Sequence, residues 1–412
     1  MHRTLLAATV VVCGISVSGI AVAARDERAA GGHGAPPTAA IAMRSSDVPA
    51  AQAASSSQAA PAANVPSGTS LRIANAQVQP VAASSPIASQ FRTLVERQVE
   101  PAWIAYTQPI AASEAAGCCW GWQNDGSGCC GGCPLESRPG VTSITEHRGD
   151  GRPVGPGPIK LEGSTELVLL FRVEARALDR VRVFSADCAL DAGGRVVHLL
   201  TGVRPADSIA FLESQIASGL STTRKSGADS LVMALALHKD PAADAALGRL
   251  LAPSQPESVR RKAMFWTARA RGRAGFEVVR RLMRDDPSPS VRKEAVGALA
   301  QSREADVVPA LIDAARTGPD ADVRGQALFW LAQKAGRQAE ETLTRAIADD
   351  PETKVKERAV FAISQLPKER SVPLLIDVAK TNRNPAVRKR AMFWLGQSDD
   401  PRALAFFESV LR

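Results

Sequence analysis

This chain is short of the side chains that usually carry metal or acid–base chemistry. Of 412 residues only five are histidine, His2, His33, His147, His198 and His238, and His238 has no glutamate or second histidine at metal-ligand spacing. No Gly-x-Ser-x-Gly elbow, phosphate-binding loop or dinucleotide fingerprint occurs, which sets aside the hydrolase and nucleotide-binding classes recognised by motif. The expectation is a non-enzyme without cofactor or metal. Cysteine is also sparse, with seven residues and none beyond Cys188. Cys118, Cys119, Cys129, Cys130, Cys133 and Cys188 include two doublets, and only Cys130 to Cys133 has the gap of a zinc ribbon. Disulfides are expected for an exported chain, with zinc as the alternative, and Cys133 to Cys188 is the first pairing to test. The nearby Asn124-Asp125-Gly126-Ser127-Gly128 is too short and too poor in carboxylates for a calcium loop.

One long apolar run is present, at residues 5–24, after Met1-His2-Arg3 and ending in Ala21-Val22-Ala23 before Arg25. It reads as a cleaved signal peptide, the other reading being an uncleaved anchor, since its length just spans a bilayer. Cys13 lacks the small preceding residue of a lipidated cysteine. The expected location is periplasmic or otherwise extracytoplasmic. Residues 25–90 are mostly Ala, Pro, Ser, Gly and Gln without a sustained period, so a disordered linker is expected there.

Between residues 91 and 205 the character changes to short β-like runs at 103–110, 166–174, 179–185 and 195–200. Leu167, Leu169, Phe171 and Val173 alternate with other residues, and Asp191-Ala192-Gly193-Gly194 reads as a hairpin turn. A small β-rich domain containing the cysteines is therefore expected. Helical spacing resumes at 207–218.

From about residue 206 to 412 the sequence repeats. Val259, Val291, Val323, Val355 and Val387 stand 32 residues apart, each followed by a basic residue (Arg260, Arg292, Arg324, Lys356, Arg388) and, four after the valine, by alanine. A constant period of this length means stacked supersecondary units. A second apolar pattern in the units, as at Val308-Pro309-Ala310-Leu311-Ile312, makes each one helix, turn, helix. Phe-Trp pairs at Phe265-Trp266, Phe329-Trp330 and Phe393-Trp394 recur every 64 residues, with Ala298 and Ala362 at the tryptophan position of the units between. Large and small residues thus alternate along the stack, as interdigitated packing requires. The Pro-x-Val-Arg-x-x-Ala pattern, as in Pro289 to Ala295 and Pro385 to Ala391, resembles HEAT repeats of the phycobilisome-lyase-like group. The resemblance covers roughly residues 227–412. It implies an α-solenoid whose second helices line a concave face used mainly for protein binding, and it does not imply lyase activity. The stretch Arg182-Val183-Phe184-Ser185-Ala186-Asp187-Cys188 is also similar to the N-terminal part of exported bacterial HEAT-repeat proteins. HEAT-type iron hydroxylases need paired His-Glu motifs, which this sequence lacks.

On a helix advancing about 100° per residue, valine, alanine and the residue eight after the valine share one face, and the residue six after it points away. Phe265, Phe329, Phe361 and Phe393 occupy that outward position, with Gly297 the exception, and four residues later stand Gln301, Gln333, Gln365 and Gln397, with Arg269 breaking the series in the first unit. Two readings stand: a ladder that grips an extended partner, or side chains that pack repeat on repeat. The tryptophans read as structural, and the basic residue after each valine as an anchor to a helix end or to an acid such as Asp313 or Asp377. Residues 255–412 hold 29 basic and 21 acidic side chains, which supply the chain's formal charge of +8. Most are interspersed as on a solvated helix face; Arg260, Arg261, Lys262, Arg269, Arg271, Arg273, Arg280, Arg281 and Arg284 form the one patch. The leading expectation is an exported scaffold that binds a protein on its concave wall. The alternatives are a nucleic-acid or anionic-ligand binder using the basic solenoid, and a bilin-lyase-like enzyme or chaperone.

Overall fold

The computed structural model describes residues 71–111, 120–123, 126–129, 133–136, 164–219 and 227–412, with backbone alone at 120–123, 126–129, 133, 227–228 and 337. All of them lie in one unit, Ala62–Arg412. The protein is mainly helical: a C-terminal α-solenoid is joined to a small N-terminal sheet region.

The sheet holds eight strands, β1 (Arg72–Ala82), β2 (Ala102–Pro109), β3 (Trp120–Gln123), β4 (Gly126–Cys129), β5 (Cys133–Pro134), β6 (Glu166–Glu174), β7 (Ala177–Ser185) and β8 (Ala189–Thr201). Their order is β1-β8-β2-β6-β7-β3-β4, with β5 also beside β8. β8 runs parallel to β1, β2 and β5, and the remaining pairs are antiparallel. β1 and the start of helix α1 (Ile87–Arg97) fall within the stretch expected to be a disordered linker, which is corrected for residues 72–90. Composition concealed them because β1 is mostly exposed and is held by backbone bonds to β8, a partner more than a hundred residues away.

The expected hairpin at Asp191 to Gly194 is also corrected. These residues lie inside β8, where register on β1 jumps from Ala74↔Asp191 to Ala76↔Arg195. Gly193 and Gly194 take positive φ (60° and 82°), a backbone region glycine enters without steric cost, and they absorb extra residues as a bulge while the strand continues.

β6 sits centrally and is buried on both faces. Its Leu167, Leu169, Phe171 and Val173 enter a core shared with α1, with α2 (Pro205–Ala217) and with the solenoid, while Val168 and Leu170 meet Trp103, Leu135, Phe184 and Cys188 on the other face. Phe91, Tyr106, Phe171 and Phe211 form an aromatic cluster in the first core, with ring centroids 4.6–5.9 Å apart.

The solenoid has two rows of helices. One row is α3 (Gly227–Leu237), α5 (Glu257–Ala270), α7 (Pro289–Leu299), α9 (Ala321–Ala335), α11 (Thr353–Ser364) and α13 (Pro385–Gly396); the other is α4 (Ala242–Leu251), α6 (Gly272–Asp285), α8 (Val307–Thr317), α10 (Arg337–Asp349), α12 (Lys368–Thr381) and α14 (Pro401–Leu411). Each helix of the first row packs on the next, whereas the second row is more widely spaced. The first row is therefore the inner side of the curve. Ser288, Asp320 and Asn384 cap α7, α9 and α13 by accepting amide hydrogens from the first turn, and Pro289 and Pro385 preset φ at the first helical position. The alanines at 263, 295, 327, 359 and 391 have no exposed surface, and the residues at 299, 331, 363 and 395 are buried on the same face. A leucine at one of those alanines would overpack the stack by roughly 1–3 kcal/mol.

β7 packs on α3, the first helix of the inner row. β2 runs on to the turn after α3, where Ala111 N–H donates to Leu237 O and Lys239 N–H to Pro109 O, at 2.9 and 3.0 Å. The sheet region thus caps the N-terminal end of the inner row.

Candidate partner-binding surface

The phenylalanines that the 32-residue spacing picks out all lie on the inner row. Phe265, Phe329 and Phe361 are half-buried and Phe393 is 51% exposed. Phe329 and Phe361 stack across two repeats with centroids 5.9 Å apart and rings within 1° of parallel, and Phe361 meets the Trp394 ring at 5.1 Å. The ladder is therefore continuous from α9 to α13, and part of each phenylalanine is spent on its neighbour. Trp266 is buried, while Trp330 and Trp394 are half-buried and take part in the ladder, which the sequence reading did not anticipate. Gly297 explains its own exception: a Cβ there would stand 3.2 Å from Trp330 Nε1, so the small residue seats the large ring of the next repeat.

The glutamines follow a different local logic from the one their spacing implies. α7 stops before Gln301, and Gln365 and Gln397 are the C-caps of α11 and α13. Only Gln333 continues a helix face, because α9 runs on to Gly336. The amides thus line the end of the inner row, with Gln333, Gln365 and Gln397 exposed and Gln301 half-buried. No glutamine bonds to another across repeats among the described residues; Gln365 donates to Ser364 Oγ at 3.2 Å.

The basic residue after each valine is an internal clip. Arg260 pairs with Asp286, both side chains nearly fully buried, Arg292 with Asp320 at 2.8 Å and Arg324 with Asp350 at 2.8 Å. Lys356 and Arg388 instead donate to the carbonyls of Ala348 and of Asn382 and Arg383. The acids used are those of the turn ahead of the next inner helix, not Asp313 or Asp377. The arginine–aspartate clip crosses from one repeat to the next, whereas the bonds of Lys356 and Arg388 stay with the helix end or turn just before them.

The basic patch is largely neutralised. Arg261 pairs with Glu294, Lys262 with Asp229, Arg271 with Asp244, Arg273 with Glu277 and Asp306, Arg280 with Glu277 and Arg284 with Asp285. On the inner row Asp322 takes both Lys354 (3.0 Å) and Arg358 (2.6 Å), and these hydrogen bonds hold its carboxyl below the usual range.

A buried polar chain sits where sheet meets solenoid. Ser208 Oγ lies 3.1 Å from the Tyr106 hydroxyl and 2.9 Å from His238 Nε2, and His238 Nδ1 is 2.6 Å from Ala234 O. Burial lowers the His238 pKa to about 4, helped by the Arg271 guanidinium, and burial pushes the Tyr106 hydroxyl up. His238 is thus a neutral joint in the core. His198, half-buried beside Gln98, is also lowered by burial.

Of the cysteine candidates, Cys188 is buried with Sγ 3.4 Å from Ser185 Oγ. Cys129 and Cys133 are described by backbone on β4 and β5, and Cys118, Cys119 and Cys130 lie outside the described residues, as do the apolar N-terminal run and Asn124-Asp125. Among the described residues no group of three metal-ligating side chains comes together, and no helix is long and apolar enough to cross a membrane.

The family model for HEAT repeats matches residues 245–332 and 340–412, so the stack is a HEAT-repeat solenoid. No curated protein matches the chain. Among solved structures it is similar to the E. coli protein YibA (23% identity over 39% of this chain and 61% of that one, TM-score 0.30). It is also similar to human deoxyhypusine hydroxylase in complex with glycerol (19%, 50% and 79%, 0.23) and to the CpcE and CpcF complex of phycocyanin lyase from Nostoc sp. PCC7120 (19%, 49% and 80%, 0.26). The chain spans less than two thirds of YibA, and at these scores none of the three bears on what this chain binds or does.

Proposed function

We propose that this chain is an exported, non-catalytic scaffold whose HEAT-repeat solenoid holds a protein partner along its inner row. The observation that carries the reading is the ladder from Phe329 to Phe393, with Gln333, Gln365 and Gln397 presenting exposed amides beside it. Aromatic rings that keep some exposed surface supply apolar anchor sites, and exposed amides can bond the main chain of an extended segment. The neutralised basic patch does not favour a phosphate backbone as ligand. The same reading takes the apolar N-terminus as the export signal and the sheet as disulfide-stapled, with Cys188 one end of a bridge.

The test is site-specific crosslinking. A photoreactive residue at Gln333, Gln365 or Gln397 should capture one and the same partner, and one at Arg281, Glu341 or Thr381 on the outer row should not. Equal capture from both rows would overturn the assignment. Phe393→Ala should weaken capture without moving Tm, whereas Phe329→Ala should lower Tm as well, because its ring also packs on Phe361.

A further inference from the structure

We infer that the inner row selects an acidic extended segment, one with carboxylates toward its two ends and apolar side chains between them. This rests on the reading of the inner row as a partner site and names the chemistry of what it takes. Three and four residues before each phenylalanine, or before Gly297 in its place on α7, stand Arg261 and Lys262 on α5, Lys293 and Glu294 on α7, Gly325 and Gln326 on α9, Glu357 and Arg358 on α11, and Lys389 and Arg390 on α13. Most of these cations are used internally: Arg261 pairs with Glu294, Lys262 with Asp229 and Arg358 with Asp322. Lys293, Lys389 and Arg390 have no ion pair among the described residues. Two of the three stand together on α13, one turn before Phe393, where Lys389, Arg390, Phe393 and Gln397 are all exposed.

At these flanking positions the surplus is therefore a pair of cations at one end of the aromatic ladder and a single one near the other, not an even positive field. Inner helices about 8–10 Å apart are matched by roughly three residues of extended chain per repeat, at about 3.3 Å per residue. A segment of about ten residues would reach from Lys389 and Arg390 back to Lys293, with apolar side chains against the exposed edges of Phe393, Phe361 and Phe329 on the way. Single-stranded nucleic acid fits less well. The rings of Phe329 and Phe361 lie parallel with centroids 5.9 Å apart, so each takes up part of the other's surface that a base would need, and Glu357 and Asp322 interrupt the row where a continuous phosphate backbone would run.

The experiment measures fluorescence anisotropy of the full chain with four probes. They are a ten-residue peptide with Asp at both ends and alternating Leu and Ser between them, its Asn and Lys counterparts, and an oligothymidine of twenty nucleotides. The expected result is at least tenfold tighter binding of the Asp peptide than of the Asn peptide. The double variant K389E/R390E should lose that preference and gain affinity for the Lys peptide, and its unchanged melting temperature would exclude misfolding. Equal affinity for Asp and Asn peptides, with binding abolished by Phe393→Ala, would sink the acidic preference and leave the inner row a peptide site. Tightest binding by the oligothymidine would overturn the inference in favour of nucleic acid. No binding of any probe, together with no capture from Gln333, Gln365 or Gln397, would remove both this inference and the function it rests on.

Discussion

A single imidazole reports on the joint between sheet and solenoid. His238 has no exposed surface and stays neutral down to about pH 4, whereas in the unfolded chain it titrates near 6.5. As pH falls through that window the unfolded chain takes up a proton that the folded chain refuses. Its contribution is thus fully present above about 6.5, shrinks as pH drops, and is lost by about 4, a destabilisation of roughly 3 kcal/mol. Urea unfolding at pH 7 and pH 4.5 should show this drop in the native chain, and His238→Gln should remove that share of it. An identical pH response in the variant would mean that the imidazole is not held as the geometry implies. Nothing in the sequence marks His238 apart from the other four histidines, because its setting is built by Tyr106 and Ser208 from elements far along the chain.

At the scale of the element, what ties one repeat to the next is the clip from Arg260, Arg292 and Arg324, each the residue after its valine, to the acid of the following turn. Arg260 and Asp286 are both buried, so Asp286→Ala would strand a guanidinium inside the stack and should cost about 3–5 kcal/mol. Glu341→Ala removes the exposed partner of Arg345 within α10 and should cost under about 1 kcal/mol. Thermal melts of the two variants side by side decide it; comparable losses would mean that the clip does not bear on stacking. The repeat period located every arginine of this series but not its partner, since the bond spans two helix pairs. The large and small alternation, by contrast, was legible in part: Trp330 sits over Gly297, beside the Ala298 to which the 64-residue rhythm pointed, whereas Trp394 meets another ring, Phe361.

For the whole molecule, the decisive feature is that one hydrophobic core runs from Phe91 and Phe171 in the sheet region through α2 and α3 into the stack. Sheet and solenoid should therefore unfold together, and a fragment starting at residue 206 should melt well below the full chain, because α2 and α3 would lose the sheet that covers them. Two separate calorimetric transitions in the full chain would contradict that coupling. The stack of helix pairs and its buried valine and alanine stripe were determined by the sequence alone, because a strict 32-residue period of local helix signals leaves few ways to bury that stripe. The tertiary structure decided the rest: β1, the bulge at Gly193 and Gly194, the acids that receive the arginines, and the helix ends that move three glutamines to the rim. Those features depend on residues brought together from distant positions, and no local pattern encodes a contact whose two halves lie in different repeats or on opposite sides of a sheet.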